Sequence, residues 1–189
     1  MLLIAGCIVL LCGCQFKRSM STVKKPRLTP KYSYRDKEPM GSYIAYHYLN
    51  SLFNYGVTKV TDRSFSKLRY EIRYNKSLYI IVAKGVFMNR LDLESMMNYV
   101  SNGNTLFISA DYIDEKLLDT LGVKATFDFR SFIFRDEYQM EKKDTWISLM
   151  NDQKKYGFYF VPFDNRITVS DTATTQVLGF NEDNDMNFI

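Results

Sequence analysis

The run Leu78-Tyr79-Ile80-Ile81-Val82-Ala83 is apolar at every position and has the length of a strand. An alternating segment would offer one face to water; a continuous one has no such face and fits a strand of a parallel sheet covered on both sides. Lys84-Gly85 closes the run, and Leu93, Met96, Met97 and Val100 then recur at helical spacing. Asn89 or Asp92 can cap that helix and Asn102-Gly103 can end it. Residues 105–110, Thr-Leu-Phe-Ile-Ser-Ala, form the next buried strand, and residues 113–121 a further helix stopped by Gly122. Strand, helix, strand, helix at this spacing predicts an α/β fold: βαβ units with right-handed crossovers in an open, largely parallel sheet.

The flanks read less regularly. Residues 32–37 look extended, and Pro39-Met40-Gly41-Ser42 then opens a helix, since proline is tolerated in a first turn. Ile44, Ala45, Tyr48, Leu49, Leu52 and Phe53 form one apolar stripe, with an expected end at Asn54-Tyr55-Gly56 and a short strand at 57–61. Beyond Val123, aromatic and β-branched segments at 127–134, 156–163, 166–170 and 176–180 predict mixed or antiparallel strands added to the sheet. Residues 144–151 suggest one short helical turn around Trp146. The final Asn187-Phe188-Ile189 reads as the start of another element, so the chain is expected to be truncated at its C-terminus.

All three cysteines, Cys7, Cys12 and Cys14, lie in the first fourteen residues. Leu11-Cys12-Gly13-Cys14 has the form of a lipobox, in which the sulfur of Cys14 takes a diacylglycerol. The apolar stretch lacks the basic n-region of a secretory signal, so the true start lies upstream of Met1 or the signal is a bare one. Ile4-Ala5-Gly6-Cys7 is a second match by composition but leaves too few apolar residues in front of it. An uncleaved anchor helix is the alternative, yet residues 1–16 would span only about 24 Å against about 30 Å of hydrocarbon. Lys17, Arg18, Lys24, Lys25, Arg27, Lys31, Arg35 and Lys37 then stand against Asp36 alone, with Pro26 and Pro30 interrupting any helix. The expected organisation is a signal or anchor at 1–14, a basic tether at 15–31 and a single α/β domain at 32–189. This places the protein on a bacterial membrane, lipid-anchored and facing the periplasm. Two acyl chains suffice for stable anchoring, and the basic tether suits anionic headgroups.

The body has an ordinary globular balance, 46% hydrophobic and 24% charged. Its fourteen Phe and fourteen Tyr favour strand packing over stacking on sugars or bases. The net charge of +4 sits largely in the tether and gives no ground for nucleic-acid binding. In an open α/β sheet a ligand sits beyond the carboxyl ends of the strands, which here supply Lys84, Gly85, Ser109 and Asp111. Lysine could hold an anion and serine could attack, but serine needs a base, and the only histidine, His47, lies off the apolar stripe of its helix. One histidine and a cysteine-free body exclude a structural zinc site. Asp183-Asn184-Asp185-Met186-Asn187 resembles half a calcium loop, yet Phe188 occupies the glycine position, so an acidic surface turn is expected. Phosphate-binding glycine motifs are absent, and no cofactor is expected.

Residues 78–112, with Asp92-Leu93-Glu94-Ser95-Met96-Met97-Asn98-Tyr99-Val100 running into Gly103 and the strand at 105–110, resemble bacterial domain-of-unknown-function family 4350. Residues 34–49, with the Pro39-Met40-Gly41 entry, and Val177-Leu178-Gly179-Phe180 share the likeness. The helix, glycine and buried-strand unit is also similar to the class I glutamine-amidotransferase-like fold, a flavodoxin-like layer. That superfamily uses a cysteine on a strand-to-helix turn and a histidine partner, and this body has neither in place. The resemblance implies a membrane-associated binding or assembly component, often encoded beside a MoxR-type ATPase, with members commonly longer than this chain. The expected function is a non-catalytic binding or assembly domain of the cell envelope with an envelope protein partner. The alternative is a hydrolase of envelope polymers, for which Asp111 and Asp114 would supply the acids.

Overall fold

A computed structural model describes residues 31–38, 41–53, 59–72, 76–126, 143–152, 154–160 and 166–189. Continuous apolar patterning gives β1, Leu78–Val86, and β2, Thr105–Ile113, which pair in parallel through Tyr79↔Leu106, Ile81↔Ile108 and Ala83↔Ala110. Both strands run about three residues past their expected ends, because the backbone ladder continues through Gly85↔Tyr112 and Val86↔Ile113. Lys84, Gly85 and Asp111 therefore sit within strands and not beyond them.

Ahead of β1 come α1, Tyr43–Leu52, and a four-residue helix α2, Phe65–Leu68, which was not anticipated. The crossover helix α3, Arg90–Ser101, begins at Asn89, whose side chain accepts the backbone N–H of Asp92 at 2.9 Å. It ends at Gly103, where φ of +82° is a conformation glycine takes without strain. Helix α4, Glu115–Thr120, starts after the expected first residue, Ile113, because the β2 ladder keeps that residue; Asp114 is the cap, and Gly122 with φ of +65° is the stop.

The core lies where α2 and α3 meet one face of the parallel pair. Phe65 stands edge-on to Tyr79 and Tyr99, with ring centroids 4.8 and 5.4 Å away. Met96, Val86, Met88 and Leu117 complete the buried cluster, against which Ile81, Ala83, Leu106, Ile108 and Ala110 pack. Polar groups stitch the same layer. Asp92 accepts from the Ser66 backbone at 2.8 Å and from Asn89 Nδ2 at 2.7 Å, tying α2 to α3. Buried Asn104 accepts from the backbone N–H and hydroxyl of Ser77, each at 2.9 Å, and donates to the Tyr99 carbonyl at 2.9 Å.

Among the described residues, the opposite face differs from the expectation of helices on both sides. Leu78, Val82 and Phe107 remain 41%, 40% and 38% exposed there, and the Phe107 ring meets Phe188 instead of a helix.

The described C-terminal part is antiparallel, as its aromatic and β-branched content predicts, but its described strands form sheets of their own and do not extend β1–β2. Strands β3, Val123–Thr126, and β6, Arg166–Val169, make one pair. The second sheet has the order β5-β4-β7-β8, from Lys143–Leu149 (β4), Lys155–Phe160 (β5), Gly179–Phe180 (β7) and Met186–Phe188 (β8). Trp146 lies in β4 opposite Gly157, so the expected helical turn at 144–151 is a strand followed by a turn; cross-strand pairing outweighs a weak local helical signal. Of residues 176–180, only Gly179 and Phe180 join a ladder. Thus the chain is an α/β mix whose described sheets are small and mostly antiparallel, with one two-stranded parallel sheet.

The signal, Cys14, most of the tether, Pro39-Met40, the expected helix end at 54–56, the strand at 127–134 and residues 161–163 lie outside the described residues. Residues 59–61 carry no strand. The segment expected to be extended at 32–37 is a turn, closed by Asp36 N–H on the Ser33 carbonyl at 3.1 Å, with Tyr32 at φ of +52°.

Candidate functional site at the strand ends and the first helix

Register brings three of the four expected site residues to one face of the parallel pair. Val82 is opposite Ser109, and the rungs Ala83↔Ala110 and Gly85↔Tyr112 bracket Lys84 and Asp111. Alternation then puts Lys84, Ser109 and Asp111 on the same side as Val82, whereas Gly85 falls on the other. Asp111 accepts the Tyr32 hydroxyl at 2.7 Å, a contact across 79 residues that links the segment ahead of α1 to β2. No motif in the sequence signals it.

The other acid near these ends, Asp114, accepts the backbone N–H of Lys116 at 3.0 Å and that of Met88 at 3.2 Å. It therefore closes the strand-to-helix turn as a structural cap. Burial, with the Asp114 and Glu115 carboxylates adding to it, raises the Tyr112 phenol above its ordinary value.

His47 lies on exposed α1, its ring 4.2 Å from that of Tyr43 and 5.5 Å from that of Tyr46. No hydrogen bond joins it to Ser109 among the described residues, so the geometry assembles no Ser-His-Asp relay. Those residues also hold no group of three or more potential metal ligands. The acidic stretch near the C-terminus is a turn joining β7 to β8. In it Asn181 Oδ1 accepts the N–H groups of Asp183 and Asp185, and Asn184 takes φ of +63°.

A groove of about 490 Å³ opens between α2 and α3, with Phe65, Arg69, Glu94, Asn98, Tyr99 and Asn102 in its lining. It lies toward the amino ends of β1 and β2, where Asn104 holds Ser77, away from the carboxyl ends at which open α/β sheets bind ligands. Its charges are engaged locally: Glu94 pairs with Arg90 at 2.7 Å, and Arg69 donates to the Tyr70 hydroxyl at 2.7 Å.

Helix α1 departs most from expectation. None of its ten residues is buried, and the apolar stripe faces outward, with Ile44 80%, Tyr48 64% and Leu52 56% exposed. Its start is held by Ser42 N–H on the Ser33 carbonyl at 3.2 Å and Tyr43 N–H on the Asp36 carbonyl at 3.3 Å. Tyr34 packs on Tyr46 at 5.0 Å. Among the described residues no helix is long and apolar enough to cross a membrane. No family model, curated protein or solved structure matches the chain.

Proposed function

We propose that this protein is a membrane-anchored, non-catalytic binding or assembly domain of the bacterial cell envelope, lipidated at Cys14 and facing the periplasm. The observation that carries the non-catalytic part is the use of the acids. Asp111 receives a tyrosine hydroxyl, Asp114 caps a helix, and Asp92 joins two helices, so the carboxylates nearest the parallel strands serve the fold. A binding role is supported by apolar surface on two elements, α1 and the outer face of β1–β2. The β1–β2 pair is read as the parallel portion of a flavodoxin-like layer of the amidotransferase-like kind, within family 4350, and the partner as an envelope protein, with a link to a MoxR-type ATPase system.

Capture of the tagged full chain from solubilised membranes, followed by mass spectrometry, is expected to recover one envelope protein in stoichiometric amount. The purified chain is expected to release no soluble fragments from peptidoglycan. Fragment release that falls with Ser109→Ala or Asp111→Asn would establish the hydrolase in its place.

A further inference from the structure

We propose that the outward stripe of α1, formed by Ile44, Tyr48, Leu52 and the adjoining Phe53, lies in the headgroup boundary of the membrane that carries the protein. The inference rests on the anchoring reading and adds to it a second, non-covalent contact that sets the orientation of the domain.

Three observations select a lipid surface. From 39 to 58 the sequence has no Asp, Glu, Lys or Arg, so α1 enters a headgroup region without desolvating a fixed charge. The exposed side chains are two aliphatics flanking a tyrosine along one line of the helix, with Phe53 at its end 47% exposed. Tyrosine favours a membrane interface because its ring is apolar and its hydroxyl reaches water. Before the helix stand eight basic residues between 17 and 37 against Asp36 alone; Lys31 pairs with Asp36 and Glu38, and the excess positive charge is complementary to anionic headgroups. Length agrees: thirty residues separate Cys14 from Ile44 along the sequence, and the seventeen from Cys14 to Lys31 can span at most about 60 Å. An anchored chain therefore keeps α1 within reach of the surface, where an interfacial helix sinks its apolar side about 5–10 Å.

The hydrogen bonds that fix the approach are already made. Tyr32 binds Asp111 on β2, and the Ser33 and Asp36 carbonyls take the first N–H groups of α1. Docking α1 on the bilayer consequently orients the parallel sheet relative to the membrane.

The test uses the full chain, processed in cells, extracted and reconstituted in vesicles of phosphatidylglycerol and phosphatidylcholine. Trp146→Phe removes the single native tryptophan, and Tyr48→Trp or Asn50→Trp, on opposite sides of α1, supplies a reporter. With brominated lipid, Tyr48→Trp is expected to shift to shorter wavelength and lose at least about half its emission, and Asn50→Trp to do neither. Adding Ile44→Asp and Leu52→Asp, at exposed positions the fold does not need, should abolish the quenching. Equal quenching at both positions, or none at either, overturns the proposal. So does a shift without lipid quenching that grows with protein density, which would assign the stripe to a second copy. Intact mass of the same sample reads the anchor separately: an unacylated chain beginning at Met1 refutes the lipoprotein reading, while the quenching still decides the docking.

Discussion

The Tyr32 hydroxyl donates to the Asp111 carboxylate at 2.7 Å, joining the turn ahead of α1 to the carboxyl-terminal part of β2. Hydrogen bonds to ionised groups contribute about 1.5–3 kcal/mol when shielded and less when half-exposed, as here. Tyr32→Phe is expected to leave the melting temperature almost unchanged and to raise amide exchange at Ser42 and Tyr43, whose N–H groups rest on the same turn. Unchanged exchange there would mean that the bond does not position α1.

Gly41 is needed for space. A Cβ at this position would collide with the Asp36 carbonyl, which also accepts the Tyr43 N–H. Gly41→Ala should therefore displace the turn and reduce helical circular dichroism from α1, with little effect on the melting of the main core.

The parallel pair gives two substitutions with different outcomes. Ile81 faces the core, so Ile81→Asp buries an unpaired charge and should cost about 4 kcal/mol or more, enough to threaten folding. Phe107 is on the open face, 38% exposed against Phe188, and Phe107→Asp should cost about 1–2 kcal/mol. Denaturant melts reading equal losses for the two would refute this division of the sheet into a covered and an open face.

Thr145 is fully buried in β4 and its hydroxyl has no partner among the described residues. Thr145→Val keeps the shape and removes an unsatisfied group, which typically costs about 1–3 kcal/mol. A raised melting temperature is expected; a lowered one would reveal a partner for the hydroxyl.

The Tyr79 phenol is raised above the ordinary value near 10, first by burial and then by Tyr99. A raised folded value means that the neutral form is favoured in the native state. That stability is fully present below the unfolded value and is lost as pH rises through the folded one. Alkaline unfolding above about pH 10 should therefore move to higher pH in Tyr79→Phe.

What the sequence made legible was the βαβ unit. Continuous apolar runs, the Asn89 cap and glycines at Gly103 and Gly122 act within a few residues of their effect, and each appears where local chemistry places it. Helix α2 was not legible, because four residues are too few to show a period; its role depends on Phe65 meeting Tyr79 and Tyr99 from distant elements. The strand around Trp146 carries a local pattern that suits a helical turn, and its partners at 155–160 and 179–180 decide otherwise. The apolar stripe of α1 is legible in the spacing of Ile44, Tyr48 and Leu52, but its exposure is not. Periodicity tells which side chains share a face, not what covers that face.

The most direct test of the account is incorporation of labelled fatty acid in cells. Wild-type chain and Cys7→Ala are expected to take up label and fractionate with membranes, whereas Cys14→Ala should take up none and persist as an unprocessed or mislocalised precursor. Label that survives the loss of Cys14, or is absent from the wild-type chain, would contradict lipid anchoring at this residue.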